Sequence, residues 1–293
     1  MSRTPLEAVR YYALVIIDAH THIFPPDVRD RRDEYLARDA GFKELYSNPK
    51  ARIATSEDLL ASMEEAGIDR SVACGFAWSD AELCKQHNEY LLEQAQRSDG
   101  RLVPFCAVQP SDGDARDDLK RWAARGARGL GELRPLQQGY GLIDSEEADL
   151  LAWAADAYDL ALLFHASEPV GHVYPGKGGL PVEQLGRFIA DFPGVAVIGA
   201  HWGGGLPFYA LMPEVRESME RAYVDTAASS LLYAPEVYAR AVELVGAEHI
   251  LFGSDYPLID QARALRELRE APIDDDARTL IEGENARSLL RLT

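Results

Sequence analysis

The 293-residue chain is poor in cysteine: it has three, Cys74, Cys84 and Cys106, an odd number without CxxC spacing. That excludes a disulfide framework and a thiolate zinc cluster, and it fits small buried hydrophobes in a reducing, cytoplasmic setting. Lysine is scarce as well, with five among 30 basic residues, at positions 43, 50, 85, 120 and 177. No basic cluster occurs, and 30 basic against 48 acidic residues leave a net charge of −18. A polyanion would meet repulsion, so neither nucleic acid nor an anionic membrane is expected as a partner. No apolar run approaches the ~20 residues of a membrane helix. The stretch from Tyr11 to Ile17 follows Glu7 and Arg10, runs into Asp18, and reads as a buried strand and not as a signal peptide. No G-x-S-x-G occurs, so a serine nucleophile on an elbow is not expected.

What is present is ordinary globular material, 47% hydrophobic and 27% charged, arranged as alternating strands and helices. Apolar, β-branched runs begin near Leu14, Arg70, Leu102, Gly129, Ala161, Val195, Ala222 and Ile250. Amphipathic stretches with legible ends lie between them. Thr55 and Asp58 form a capping-box pattern closed by Gly67, and Asp144 with Glu147 repeats it. Pro181 and Pro235 suit first-turn positions of helices, and a last helix is expected over about Asp274 to Leu292. Eight strands each followed by a helix make a parallel α/β sheet with right-handed crossovers, either open or closed into a (β/α)8 TIM barrel with a C-terminal helix. The whole chain, 1–293, reads as one such domain. The long segments 23–54 and 166–180 follow strands 1 and 5, where such folds keep substrate contacts.

The polar residues choose between the two topologies. Strand 1 ends Asp18-Ala19-His20-Thr21-His22, and residues i and i+2 of a strand face the same way, about 6.5–7 Å apart. Taken alone, His20 and His22 could be hydrogen-bonded core histidines. Strand 5 runs into His165, strand 6 into His201, and strand 8, through Phe252-Gly253-Ser254, into Asp255. Four of the seven histidines and a carboxylate thus fall at strand C-termini. The ends of strands 1 and 8 are far apart in an open sheet and adjacent in a barrel, so the barrel is expected. Such a donor set suits Zn²⁺, with Mn²⁺ or Fe²⁺ as lesser options.

The His-x-His after strand 1, the single histidines after strands 5 and 6, and Asp255 after strand 8 resemble the metal-dependent amidohydrolase superfamily. The phrases FGSDYP (252–257), AHWGGG (200–205) and Glu284-Asn285-Ala286-Arg287 are similar to its amidohydrolase-2 branch, which includes aminocarboxymuconate semialdehyde decarboxylase and related hydrolases. The resemblance implies that His20, His22, His165 and Asp255 are ligands, that Asp255 also shuttles protons, and that His201 polarises the substrate. Members with two ions bridge them with a carbamylated lysine or a glutamate. No lysine lies at a strand end here, so Glu132, ending strand 4, is the bridging candidate. One ion without Glu132 is the favoured arrangement, and two ions with His201 as a ligand of the second is the alternative.

Arg134, two residues beyond Glu132, is placed to dock a substrate carboxylate or to pair with a loop acid. The segment Gly171-His172-Val173-Tyr174-Pro175-Gly176-Lys177-Gly178 matches the start of a phosphate-binding loop but lacks its Ser/Thr and an adjoining helix. His172, Tyr174 and Lys177 are instead candidates for substrate contact. Gly203 to Gly205 would let the backbone approach the pocket. His87 and His249 read as structural, Asp18 as an acid one layer below His20 that either orients a ligand or is structural, and Trp78, Trp202 and Tyr256 as core or pocket wall. The function expected is a metal-dependent hydrolase of a small carboxylated or cyclic ester, lactone or amide. The rival is a metal-dependent decarboxylase of an aromatic or enoic acid. A small-molecule substrate is the expected partner, and a homodimer is compatible with the chain.

Overall fold

The computed structural model describes residues 15–220 and 222–293. The Tyr11–Leu14 part of the expected first strand lies outside the described residues. Eight parallel strands follow one another around a barrel: β1 Ile17–His22, β2 Arg70–Cys74, β3 Leu102–Cys106, β4 Gly129–Leu133, β5 Ala161–Phe164, β6 Val197–Gly199, β7 Ala222–Asp225 and β8 Ile250–Leu251. The last gap closes through the chain beyond β8. Ala19 donates its N–H to Phe252 O (2.7 Å), His22 to Tyr256 O (2.7 Å), and Asp255 to His20 O (2.9 Å). The fold is therefore the expected TIM-type barrel.

Alternation along the strands separates two cores. Ile17, Val72, Cys74, Val103, Phe105, Leu163, Ile198 and Leu251 fill the interior, with Ala286 and Leu290 of the C-terminal helical segment packed among them. Their neighbours, among them Leu130, Leu162, Val197 and Ile250, face the helices. Room inside is tight. A Cβ on Gly129 would stand 2.5 Å from the Phe105 ring, and one on Gly131 2.7 Å from Leu163 Cβ.

The alternation breaks in two places, and both matter for function. The β1–β2 register shifts between Asp18 and Thr21, and the β4–β5 register between Leu130 and Leu133. Such irregularities re-aim side chains and gather next to active sites. Asp18 consequently takes Gln261 Nε2 (2.8 Å) of the outer helix Gln261–Glu270, together with Ser254 Oγ (2.5 Å). The expectation that Asp18 faces the same way as His20 is thus corrected, although Asp18 Oδ1 does accept the His20 backbone N–H at 3.1 Å.

Helix ends mostly follow their sequence signals. Helix Ser56–Ala66 starts with Asp58 accepting the Thr55 N–H (2.9 Å) and ends at left-handed Gly67. Helix Glu146–Tyr158 is capped by Ser145, whose hydroxyl accepts Ala148 N–H (3.1 Å), and not by Asp144. Pro181 and Pro235 precede helices Val182–Asp191 and Val237–Val245 and do not sit inside their first turns. The last helix is divided into Asp275–Thr279, a wider turn Leu280–Glu284, and Asn285–Leu289. The long segment after β1 folds into short helices and seats on the barrel rim through a cluster of Phe24, Phe42, Phe76 and Trp78. No described helix is long and apolar enough to cross a membrane.

Candidate metal centre

His20, His22, Glu132, His165, His201 and Asp255, from four of the strand ends and the segment beyond β8, converge in the barrel mouth. His20 Nε2 lies 3.1 Å from His22 Nε2, and His22 Nε2 lies 3.4 Å from Asp255 Oδ1. Glu132 sits at the centre. Its Oε1 is 2.9 Å from His165 Nδ1, 3.3 Å from His201 Nε2 and 3.7 Å from His20 Nε2, while Oε2 is 3.7 Å from His22 Nε2. Ligands about 2.0–2.2 Å from one tetrahedral ion stand roughly 3.3–3.6 Å apart, so these spacings match the edges of coordination shells. His20, His22 and Asp255 form one compact group of donors, and His20, Glu132 and His201 another.

The outer nitrogens of three rings are already engaged. His20 Nδ1 donates to Asp225 Oδ2 (2.7 Å), His165 Nε2 to Gly176 O (3.1 Å), and His201 Nδ1 to Ala227 O (3.3 Å). Those partners assign the tautomers. In the neutral rings, lone pairs then face carboxylate oxygens across the centre, an arrangement that requires protons or a cation between them. The donor set therefore fits a divalent metal. Without one, protons serve. Burial opposes charge on His20, yet Asp225, helped by Glu132 and Asp255, pushes its pKa up to about 10. Burial likewise opposes charge on His201, and Glu132 and Asp255 outweigh it to give about 9. Burial would raise the Asp255 pKa, but the imidazoles of His22, His201 and His20 hold it below the usual carboxylate range.

Two of these residues sit on strained backbone. His201 has φ +56° and Asp255 φ +63°, values uncommon outside glycine. Asp225 Oδ1 accepts the His201 N–H (2.8 Å) and holds that turn. Asp225, at the end of β7, is the residue that sequence reasoning missed. Its signal was the same as that of Asp255, a carboxylate ending a strand.

A cavity of about 400 Å³ opens above the cluster. His22, Glu132, His165, His201 and Asp255 form its floor, Tyr46, Phe76, Leu231 and Leu258 much of its wall, and His172 and Tyr174 part of its rim. Arg52 is the one Lys or Arg lining it among the described residues, and it pairs with Asp260 (2.5 Å). Two expected substrate contacts do not line the cavity. Arg134 is buried against Glu44 (3.5 Å) and Gly176 O (3.4 Å), because the loop carrying Gly176 covers it. Lys177 Nζ turns back onto Val170 O (2.5 Å) and His172 O (2.8 Å) of its own loop. Gly203 to Gly205 do not line it either, and a Cβ on Gly204 would stand 2.8 Å from Ser167 O. Trp78 and Trp202 are core, and Tyr256 borders a separate surface groove. His87 donates Nε2–H to Ile23 O (2.7 Å), and His249 donates Nδ1–H to Ala222 O (3.0 Å), both structural contacts.

A family model described as amidohydrolase matches residues 17–292. A search of curated proteins found no match to the chain. Among solved structures, 5-carboxyvanillate decarboxylase from Sphingomonas paucimobilis is similar at 19% identity and a TM-score of 0.76, over 96% of this chain and 100% of that one. Dihydroxybenzoic acid decarboxylase from Polaromonas sp. JS666, with bound manganese and the inhibitor 2-nitroresorcinol, is similar at 17% identity and a TM-score of 0.72, over 95% and 97%. A probable 2-pyrone-4,6-dicarboxylic acid hydrolase from Acinetobacter baumannii is similar at 15% identity and a TM-score of 0.64, over 94% and 99%. At such identities the likeness establishes a shared fold.

Proposed function

The chain belongs to the amidohydrolase family, and from that premise we propose that it is a metal-dependent hydrolase of a small, largely apolar cyclic or aromatic ester, lactone or amide. The observation that carries this reading is the make-up of the cavity wall, where Arg52 is the one Lys or Arg among the described residues and is paired with Asp260. The wall therefore offers a substrate carboxylate no unpaired basic side chain. Arg134 and Lys177, expected as substrate contacts, do not line the cavity.

His20, His22, Asp255 and Glu132 Oε2 would hold one divalent ion, and Glu132 Oε1, His165 Nδ1 and His201 Nε2 a second. On this reading two ions sharing Glu132 would take the place of the single ion favoured from sequence alone. The ions would be Zn²⁺, Mn²⁺ or Fe²⁺, and manganese is the ion named for the Polaromonas enzyme. Bound there, a divalent cation supplies Lewis acidity, which acidifies water and polarises a carbonyl oxygen. Asp255 stays ionised at neutral pH and accepts the proton of the attacking water. It then returns that proton to the leaving group. Tyr46, Phe76 and Leu231 exclude bulk water from the substrate, and Arg52, at the wall, meets any polar substituent distant from the reacting bond.

Decarboxylation of an aromatic acid is the second reading. It is favoured by the aromatic walls and by the aromatic acids named for the Sphingomonas and Polaromonas enzymes. A substrate panel separates the two. Lactones and esters should include one giving metal-dependent proton release, or amides one giving metal-dependent amine release, in either case without CO2. Metal-dependent CO2 release from dihydroxybenzoates or 5-carboxyvanillate, with no hydrolysis across the panel, would overturn the hydrolase reading.

A further inference from the structure

The loop between β5 and helix Val182–Asp191 does more than border the cavity. Its backbone lies directly on a ring of the metal centre. The Gly176 carbonyl accepts the His165 Nε2–H at 3.1 Å, and a Cβ on Gly179 would stand 2.2 Å from His165 Cδ2. Gly176 has φ +91°, and a Cβ there would lie 2.8 Å from Leu45 Cδ2. Only glycine satisfies both demands.

The Gly176 residue is held at both its polar groups from outside the loop. Glu44 Oε1, on helix Ala40–Tyr46, accepts its N–H at 3.1 Å, and Arg134 Nη2 donates to its carbonyl at 3.4 Å. Arg134 and Glu44 face each other at 3.5 Å. Arg134 is only 2% exposed, and its Nε and Nη1 make no hydrogen bond to any described residue. A buried, thinly partnered cation adds little stability, and an apolar side chain of similar size is commonly neutral or better in such a place. The pair therefore calls for an explanation other than stability.

We propose that Arg134 and Glu44 are positioning residues. They clamp the Gly176 peptide over His165, so that its carbonyl holds Nε2 as a hydrogen-bond donor and keeps Nδ1 aimed at the metal centre. A histidine ligand is oriented by the partners of its other nitrogen, and here they are Ser167 Oγ at 3.3 Å and, nearer at 3.1 Å, a loop carbonyl gripped by an ion pair. The consequence for the metal rests on the two-ion reading above. Release of the ion held by His165 is coupled to the closed state of the 168–179 loop.

The test has two arms. In metal-free protein at pH 8, ¹⁵N-histidine NMR, with His165 assigned through His165→Gln, should show an Nε2–H that exchanges slowly with water, whether or not Nδ1 also carries a proton shared with Glu132. Arg134→Met and Glu44→Gln should each speed that exchange about tenfold or lose the signal, with a nearly unchanged melting temperature, and Arg134→Lys should restore most of the wild-type signal. In Co²⁺-loaded protein, a chelator should strip one ion about tenfold faster from both variants than from wild type. Wild-type Nε2–H exchange and wild-type release rates in both variants would overturn the clamp. Should Arg134→Met not fold, Glu44→Gln, at a partly exposed carboxylate, decides alone. If wild type takes up no Co²⁺, the two-ion reading falls, while the NMR arm still decides the clamp.

Discussion

Asp225 and His20 form a hydrogen bond of 2.7 Å between two fully buried side chains, on strands β7 and β1. The same carboxylate accepts the backbone N–H of His201 at 2.8 Å and of Ala227 at 3.1 Å through its other oxygen. One acid therefore orients one candidate ligand by its ring and another by its backbone. Asp225→Asn can keep the backbone contacts but offers His20 Nδ1 a donor where it had an acceptor. The ring then places its proton on Nε2, facing the centre. Metal affinity should fall about 10–100-fold, measured by competition with a chelator, while the melting transition remains cooperative.

Glu132 gives the sharpest reading of nuclearity. With one oxygen facing each donor group, removing its charge should remove an ion. Wild type should saturate at two equivalents of Mn²⁺ or Zn²⁺ by elemental analysis, and Glu132→Gln at one or fewer. Saturation of wild type at one equivalent, unchanged in Glu132→Gln, would restore the single-ion arrangement without touching the hydrolase assignment.

Asp255 occupies the left-handed backbone region, φ +63°, which asparagine tolerates better than most residues. Asp255→Asn should therefore fold nearly as wild type and isolate the loss of a proton acceptor. Turnover of the substrate found in the panel should drop roughly 10²–10⁴-fold. Circular dichroism and a thermal melt check the fold, and initial rates at saturating metal check the chemistry.

Much of this site was legible in the chain because a barrel brings every strand C-terminus to one rim. Once His20, His22, His165, His201 and Asp255 were assigned to strand ends, their convergence needed no further information. Three things were not legible. Register irregularities before Thr21 and Leu133 decide which side Asp18 and Glu132 face, and no residue pattern announces them. Arg134 directly follows the strand it was assigned to, but the loop carrying Gly176, 42 residues further on, folds over it and removes it from the cavity. Tyr46 and Arg52 reach the cavity from the long segment after β1, whose short helices lack the periodicity that would orient them.

His87 offers a test of the fold's acid sensitivity that is independent of the metal. Its Nε2–H donates to Ile23 O at 2.7 Å, while Nδ1 accepts from Trp78 Nε1 at 3.1 Å and from Phe76 N–H at 3.3 Å. A second proton would sit where two donors already point. Burial, which disfavours the charged ring, brings the pKa down from 6.5 to about 4. Between those values the unfolded chain binds a proton that the folded chain refuses, so stability rises with pH across this window. The contribution is fully present above pH 6.5 and is lost as pH falls toward 4, at about 3 kcal/mol in all. Asp18, raised by burial to about 6, works in the opposite direction, because its folded form takes up a proton first. Comparing wild type with His87→Gln cancels that term. In chelator-treated protein, the stability advantage of wild type over His87→Gln from urea melts should shrink by roughly that amount between pH 7 and pH 4.5. A constant advantage across the range would mean that His87 takes its proton in place and that the Trp78 contact gives way instead.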